Sequence, residues 1–344
     1  MEEKKKGGFN VKKLLENTRI LVLLVLVIFF TIMKPGTFFT YRNFVSIMYS
    51  VSLIAIMICG AMFPVLLGGI DRTVSGNAAI AGAVMCSLIS KQFNYSNGGA
   101  VIAILCALCA GLLSGLFHGT VMSRFAIPAF LLTLATNEVL YGIVQTITGN
   151  QLINNLNCGL TNYIGMQRWL GIPIPVYVLA LCFVIMYFVL NHTVYGRQLY
   201  STGGNRVAAE LSGVPTKKII LIAYMMSGMM GALSGIMLSC MNQQASALQA
   251  QNYENNVLAA VVVGGVSMRG GSGTLQGAML GAIIIGVMEN GLRLMGIPSI
   301  YHDLAKGIII MTAIAVDMVT AAKRSGMRLN SIRELFTRTK KVKA

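Results

Sequence analysis

Charge is scarce in this sequence. Asp, Glu, Lys and Arg make up 11% of the 344 residues, where a soluble domain carries about a quarter, and 55% are hydrophobic. That balance excludes a water-soluble globule and leaves a chain whose solvent is a lipid bilayer. No polar interval is long enough to form a soluble domain of its own. Histidine is scarcer still: His118, His192 and His302 show neither HExxH nor any paired spacing, so a metal-assisted reaction has no ligand set. There is no GxxxxGK[ST], and the glycine-rich run GGVSMRGGSGT lacks the lysine that would meet a phosphate. The chain therefore carries no cofactor and no ATP-hydrolysing site of its own. Cysteine supplies no disulfide framework, because six of the seven (Cys59, Cys86, Cys106, Cys109, Cys182, Cys240) fall in or at the edge of apolar stretches. They read as small buried hydrophobes, the Cys106/Cys109 CxxC included.

What is present is a series of apolar stretches. A hydrocarbon core roughly 30 Å thick is crossed by about 20 helical residues. Stretches near that length lie at 20–33, 45–67, 74–90, 100–118, 128–148, 173–190, 219–240, 255–268, 274–294 and 303–320. The first and eighth are short, so the count is eight to ten, with about ten favoured. The predicted fold is all-α, a polytopic transmembrane helical bundle. The basic stretch before the first span has no small-residue cleavage site after it and reads as the lead of an uncleaved span rather than a signal peptide.

The net charge of +16 would suggest nucleic acid in a soluble protein, but its distribution argues otherwise. Fourteen of the 27 basic residues lie before Ile20 or after Thr320. Arg197, Arg206, Lys217 and Lys218 sit between Asn191 and Lys218, whereas 149–172 and 241–254 hold one basic residue, Arg168. By the positive-inside rule both termini and the 191–218 loop are cytoplasmic, and ten spans alternate consistently. The organisation is then a basic segment 1–19, a transmembrane domain 20–320 and a basic tail 321–344, in the cytoplasmic (inner) membrane.

Gly111/Gly115, Gly231/Gly235 and Gly277/Gly281 are each spaced four apart, the pattern that lets helix backbones approach in lipid. Ionisable groups in the spans are few. Asp71 with Arg72 reads as a pair at the cytoplasmic end of the second span. Glu138 lies inside the fifth, where charge costs at least ~2.5–3.5 kcal/mol. Asn137, Glu138, Tyr141 and Gln145 are close enough in register to share one face, and with Asp71 they are the candidate translocation pathway.

The segment Tyr195–Lys218 reads YGRQLYSTGGNRVAAELSGVPTKK. In its core, Gly204-Asn205 precedes Ala208-Ala209 and Ser212-Gly213. Asn205 is placed to cap a short helix, Ala208 and Ala209 to give it a small exposed face, and Gly213 to end it. This stretch resembles the cytoplasmic motif of the ribose-type, monosaccharide permeases of binding-protein-dependent ABC importers. Ala259–Ile297 resembles that family's C-terminal signature, and Gly68-Gly69-Ile70-Asp71 its Gly-Gly-Ile-Asp turn. The resemblance runs from about 45 to 320. The chain departs from it after Asp71, with Arg72 where the family has Leu, and around Asn137-Glu138.

The resemblance implies a permease that moves a sugar or related small polar solute. Its partners would be a cytoplasmic ABC ATPase that uses the ATP, an extracytoplasmic solute-binding protein, and a second permease copy or homologous permease. It also implies that Gly204, Asn205, Ala208, Ala209, Ser212 and Gly213 form the ATPase-coupling loop, and it implies no covalent chemistry. The competing reading of the residues is an ion-coupled secondary transporter or facilitator that would rely on Glu138 or Asp71.

Overall fold

The computed structural model describes residues 18–308 other than 126, 155, 157 and 299, together with 311. Apart from Thr18 and Arg19, the basic segments 1–19 and 321–344 lie outside the described residues. Most of the tenth expected span, 303–320, does too.

Helix α1 (Thr18–Met33) leads into α2 (Tyr41–Leu66), which starts where the Thr40 hydroxyl accepts the Asn43 N–H at 3.3 Å. After α3 (Thr73–Lys91) comes α4 (Asn97–Arg124), capped by Ser96 on the Gly99 N–H. Helix α5 (Ala129–Thr148) follows Pro128 and stops at Gly149, whose φ of 64° is left-handed. The loop after it holds β1 (Ile153–Asn154), α6 (Gly159–Met166) and the hairpin β2 (Arg168–Trp169) with β3 (Ile172–Pro173). Helix α7 (Ile174–His192) is followed by α8 (Val194–Gly204), α9 (Arg206–Leu211) and α10 (Thr216–Asn242). The described helices of the first unit close with α11 (Tyr253–Val263) and α12 (Leu275–Leu294), with β4 (Gln244–Ala245) before them. From Pro298 the described residues belong to a second compact unit, in which Lys306 pairs with Asp303 at 2.7 Å.

Seven of these helices are long and apolar enough to cross a membrane: α2, α3, α4, α5, α7, α10 and α12. They coincide with the second to seventh and ninth expected spans. The eighth differs. Helix α11 has 11 residues, which at about 1.5 Å each rise some 16 Å, half a bilayer. It ends because Gly264 and Gly265 follow, the latter at φ 70°. The two short β pairings lie in the loops and leave the bundle helical.

Helix α10 is the axis of the packing, and its glycines are the reason. A Cβ built on Gly228 would stand 3.0 Å from the Gly115 nitrogen, and one on Gly115 would stand 2.8 Å from Met225 Cα. One on Gly231 would stand 3.0 Å from the Val74 carbonyl. So α4 lies backbone-to-backbone on one side of α10 and α3 on another, as the four-residue glycine spacing predicts. A side chain at this crossing has nowhere to go. Gly228→Val is expected to cost about 3 kcal/mol or more, read as a lower melting temperature in detergent. Gly98→Ala, at a glycine with nothing within 4 Å, is the control.

The cysteine reading needs one correction. Cys59, Cys86, Cys158, Cys182 and Cys240 are buried, but Cys106 and Cys109 are exposed. Helix α4 turns its glycines to α10, so the three-residue Cys106/Cys109 step falls on its outer face.

The loops sort into two groups. At one end β1 pairs antiparallel with β4, the Tyr41 hydroxyl donates to the Gly171 carbonyl at 2.6 Å, and Asn97 accepts the Leu160 N–H at 2.9 Å. At the other end the segments around Gly68, Gly203 and Gly271 meet. These are the groups that the charge alternation assigns to opposite sides.

Candidate functional site

The three stretches that carry the family resemblance converge at the second end. Pro64 lies in the last turn of α2, and at Gly68 a φ of 79° reverses the chain. The freed Leu66 carbonyl accepts the Gly271 N–H at 2.8 Å, from the glycine-rich run after α11. Gly203 of α8 packs on the same carbonyl, and a Cβ there would lie 2.8 Å from the Gly271 nitrogen. Tyr200 adds a hydroxyl hydrogen bond to the Gly273 carbonyl at 2.9 Å, and burial pushes its phenol above the usual range, keeping it a donor. Arg19 reaches Gly265 and Gly277 at the same place.

From this junction α9 projects. Asn205 caps it, accepting the Ala208 N–H at 3.0 Å, and Gly213 at φ 82° follows its end, both as the sequence predicts. The Ser212 hydroxyl donates to the Ala208 carbonyl at 2.8 Å. Gly204 is exposed with nothing within 4 Å. The expected exposed Ala208-Ala209 face is half right. Ala208 is exposed, but Ala209 is 5% exposed, turned inward. The outward face is Val207, Ala208 and Leu211, with Leu211 85% exposed. Arg206 and Glu210 are exposed as well, so this six-residue helix rests on the bundle along a single line, and Ala209 is the residue that line turns inward.

The second constellation lies deeper in the bundle. Residues 69–72 run without regular structure and deliver Asp71, 3% exposed, to the start of α3. Asp71 accepts the Thr73 N–H at 2.9 Å and the Thr73 hydroxyl at 2.6 Å. Asn137 accepts the Gly76 N–H at 3.0 Å. A helix that begins inside a bundle leaves its first N–H groups without water, and these two side chains supply acceptors for two of them. Asp71 and Asn137 are thereby engaged in closing a buried helix start.

The remaining candidates on α5 do not share their face. Tyr141 is half-buried alongside Asn137, whereas Glu138 and Gln145 are exposed on the opposite side among Leu131, Val139 and Ile143. Nor are Asp71 and Arg72 a pair. Arg72 instead donates from Nη2 to Glu254 Oε1 at 2.9 Å and from Nη1 to Asn255 Oδ1 at 3.3 Å, across to the first turn of α11. Its guanidinium stands 5.9 Å from the Phe130 ring centre. Sequence reading missed Glu254, since nothing local marks a partner 182 residues away.

Residues 43–314 match a family model described as branched-chain amino acid transport system / permease component. The ribose import permease protein of Escherichia coli (strain K12) is 34% identical over 307 residues, covering 88% of this chain and 94% of that protein. The ribose import permease protein of Bacillus subtilis (strain 168) is 33% identical over 304 residues, 87% of this chain and 92% of its own length. The L-arabinose ABC transporter permease protein of Azospirillum brasilense is 30% identical over 310 residues, 90% of each. No solved structure matches the chain.

Proposed function

This chain belongs to the permease component family of branched-chain amino acid transport systems, and from that premise we propose that it is the membrane permease of an ABC importer for a sugar, a ribose-like monosaccharide or related small polar solute. The family is a transport component and not an enzyme. The family description speaks of amino acids, whereas the ribose and arabinose permeases that share about a third of its residues favour a sugar.

The observation that carries the reading is the α9 stripe. Val207 and Leu211 are apolar and exposed on a helix that the charge pattern puts in the cytoplasm. A separate ATPase covers that stripe and hydrolyses the ATP that drives transport. A solute-binding protein delivers the sugar at the β1–β4 end. Two permeases sit together, because Glu138 on an outward apolar face is costly against lipid and tolerable against a partner or a water-filled path. The chain is multi-pass in the cytoplasmic membrane, with both termini inside.

Vesicles rebuilt with the ATPase and binding protein test this. ATP-dependent uptake of ribose, arabinose or fructose is expected, with none from an ion gradient alone. Uptake driven by a proton or sodium gradient without the ATPase would replace this reading with a secondary transporter.

A further inference from the structure

Arg72, Glu254, Asn255 and Phe130 form a group that neither the coupling end nor the capping of α3 uses. Glu254 is 5% exposed and sits in the first turn of α11, so it lies about 16 Å from the glycine-rich junction, near mid-depth of a bilayer. Two strong hydrogen-bonding atoms of the pair, Arg72 Nε and Glu254 Oε2, are buried without a hydrogen-bond partner among the described residues. The rim is open: Asn255 is exposed, and Phe130 is 41% exposed beside the guanidinium.

A tie between two helices has no use for this chemistry. A buried ion pair is rarely more stabilising than an apolar pair of the same volume, and an unsatisfied buried polar atom costs ~1–3 kcal/mol. The leftover atoms are one donor and one acceptor. A hydroxyl group accepts from the first and donates to the second, and neighbouring hydroxyls use both while the ion pair stays intact. The amide of Asn255 adds a donor and an acceptor, and the Phe130 ring offers an apolar surface to the C–H side of a sugar. The charges cancel. An anionic or cationic solute would have to split the pair and strand a charge in low dielectric, and a zwitterion would have to split it too.

We propose that Arg72, Glu254, Asn255 and Phe130 are a specificity site for a neutral polyhydroxylated solute passing through the membrane. This rests on the sugar-importer reading. The sugar meets Asn255 and Phe130 first, and its hydroxyls then reach Nε and Oε2 beside the intact Arg72–Glu254 pair.

The test uses the complete system of permease, ATPase and binding protein in vesicles. ATP-dependent uptake is measured for ribose, arabinose, fructose, a sugar acid and leucine, with wild type, Glu254→Gln and Arg72→Leu/Glu254→Leu. The double variant leaves no unpaired charge, so it keeps the fold even where Glu254→Gln does not. Expected are uptake of a neutral sugar over sugar acid and leucine by wild type, and at least ~10-fold slower sugar uptake by the double variant, with the order among the sugars altered. Wild-type rate and order in the double variant would make the pair a structural tie and overturn the site alone. Preference of wild type for leucine or the sugar acid would also overturn it, and no ATP-dependent sugar uptake by wild type would overturn the importer reading beneath it.

Discussion

The combination Ala208→Trp with Leu211→Asp is expected to abolish ATP-driven uptake, by ~100-fold or more, while the chain still inserts and melts as wild type does. Both positions point away from the bundle, so neither change meets a neighbour in the isolated permease. The loss lies in docking. Small interface patches concentrate their energy in a few side chains worth ~2–4 kcal/mol each, and removing an apolar anchor while adding bulk beside it defeats the fit. Co-purification of the ATPase with the variant is the direct measurement, and undiminished co-purification with full uptake would remove α9 from the interface. Ala209→Trp separates the two roles, because its loss appears as instability instead.

Gly203→Val is expected to be as damaging by another route. Any Cβ at Gly203 enters the Leu66 carbonyl and stands 2.8 Å from the Gly271 nitrogen, so the hydrogen bond between those two segments must break. Backbone atoms cannot rotate aside as a side chain does. The cost is of the order of 4 kcal/mol, large for a single change, and it falls on the joint between α2, α8 and the glycine-rich run. The variant should yield little folded protein, and the fraction that folds should show weakened coupling of ATP hydrolysis to uptake. Gly204→Ala, one residue on and in open space, should give wild-type yield and melting. Normal yield and normal coupling for Gly203→Val would mean the junction is loose in the working protein.

What the sequence made legible was what is local or periodic. Long apolar runs marked the seven full-length helices, the four-residue glycine spacing marked the α10 crossings, and Asn205 and Gly213 bracketed α9 because caps depend on neighbours three residues off. What stayed hidden depends on rotation or distance. Asn137 and Glu138 are adjacent, and only the packing of α5 on α3 decides that the first turns in and the second out. Cys106 and Cys109 have helical spacing that fits either face. The shortness of α11 was legible from the glycines that follow it, but the packing of Gly264 against Gly277 and Ala278 of α12 was not, since no hydropathy window contains that contact. Arg72 looked like the partner of its neighbour Asp71 because its real partner sits in the last third of the chain.

The distance between those partners sets an order in time. Residues 41–148 carry most of the early helices, yet the Leu66 carbonyl waits for Gly271 and Arg72 waits for Glu254. During synthesis the first helices enter the membrane long before either partner emerges, holding a guanidinium and an open carbonyl without their mates. Closure of the site is therefore a late event, reached only when α11 arrives. A chain that stalled before Glu254 would keep an uncompensated charge in the bilayer, a mark by which an unfinished molecule differs chemically from a finished one.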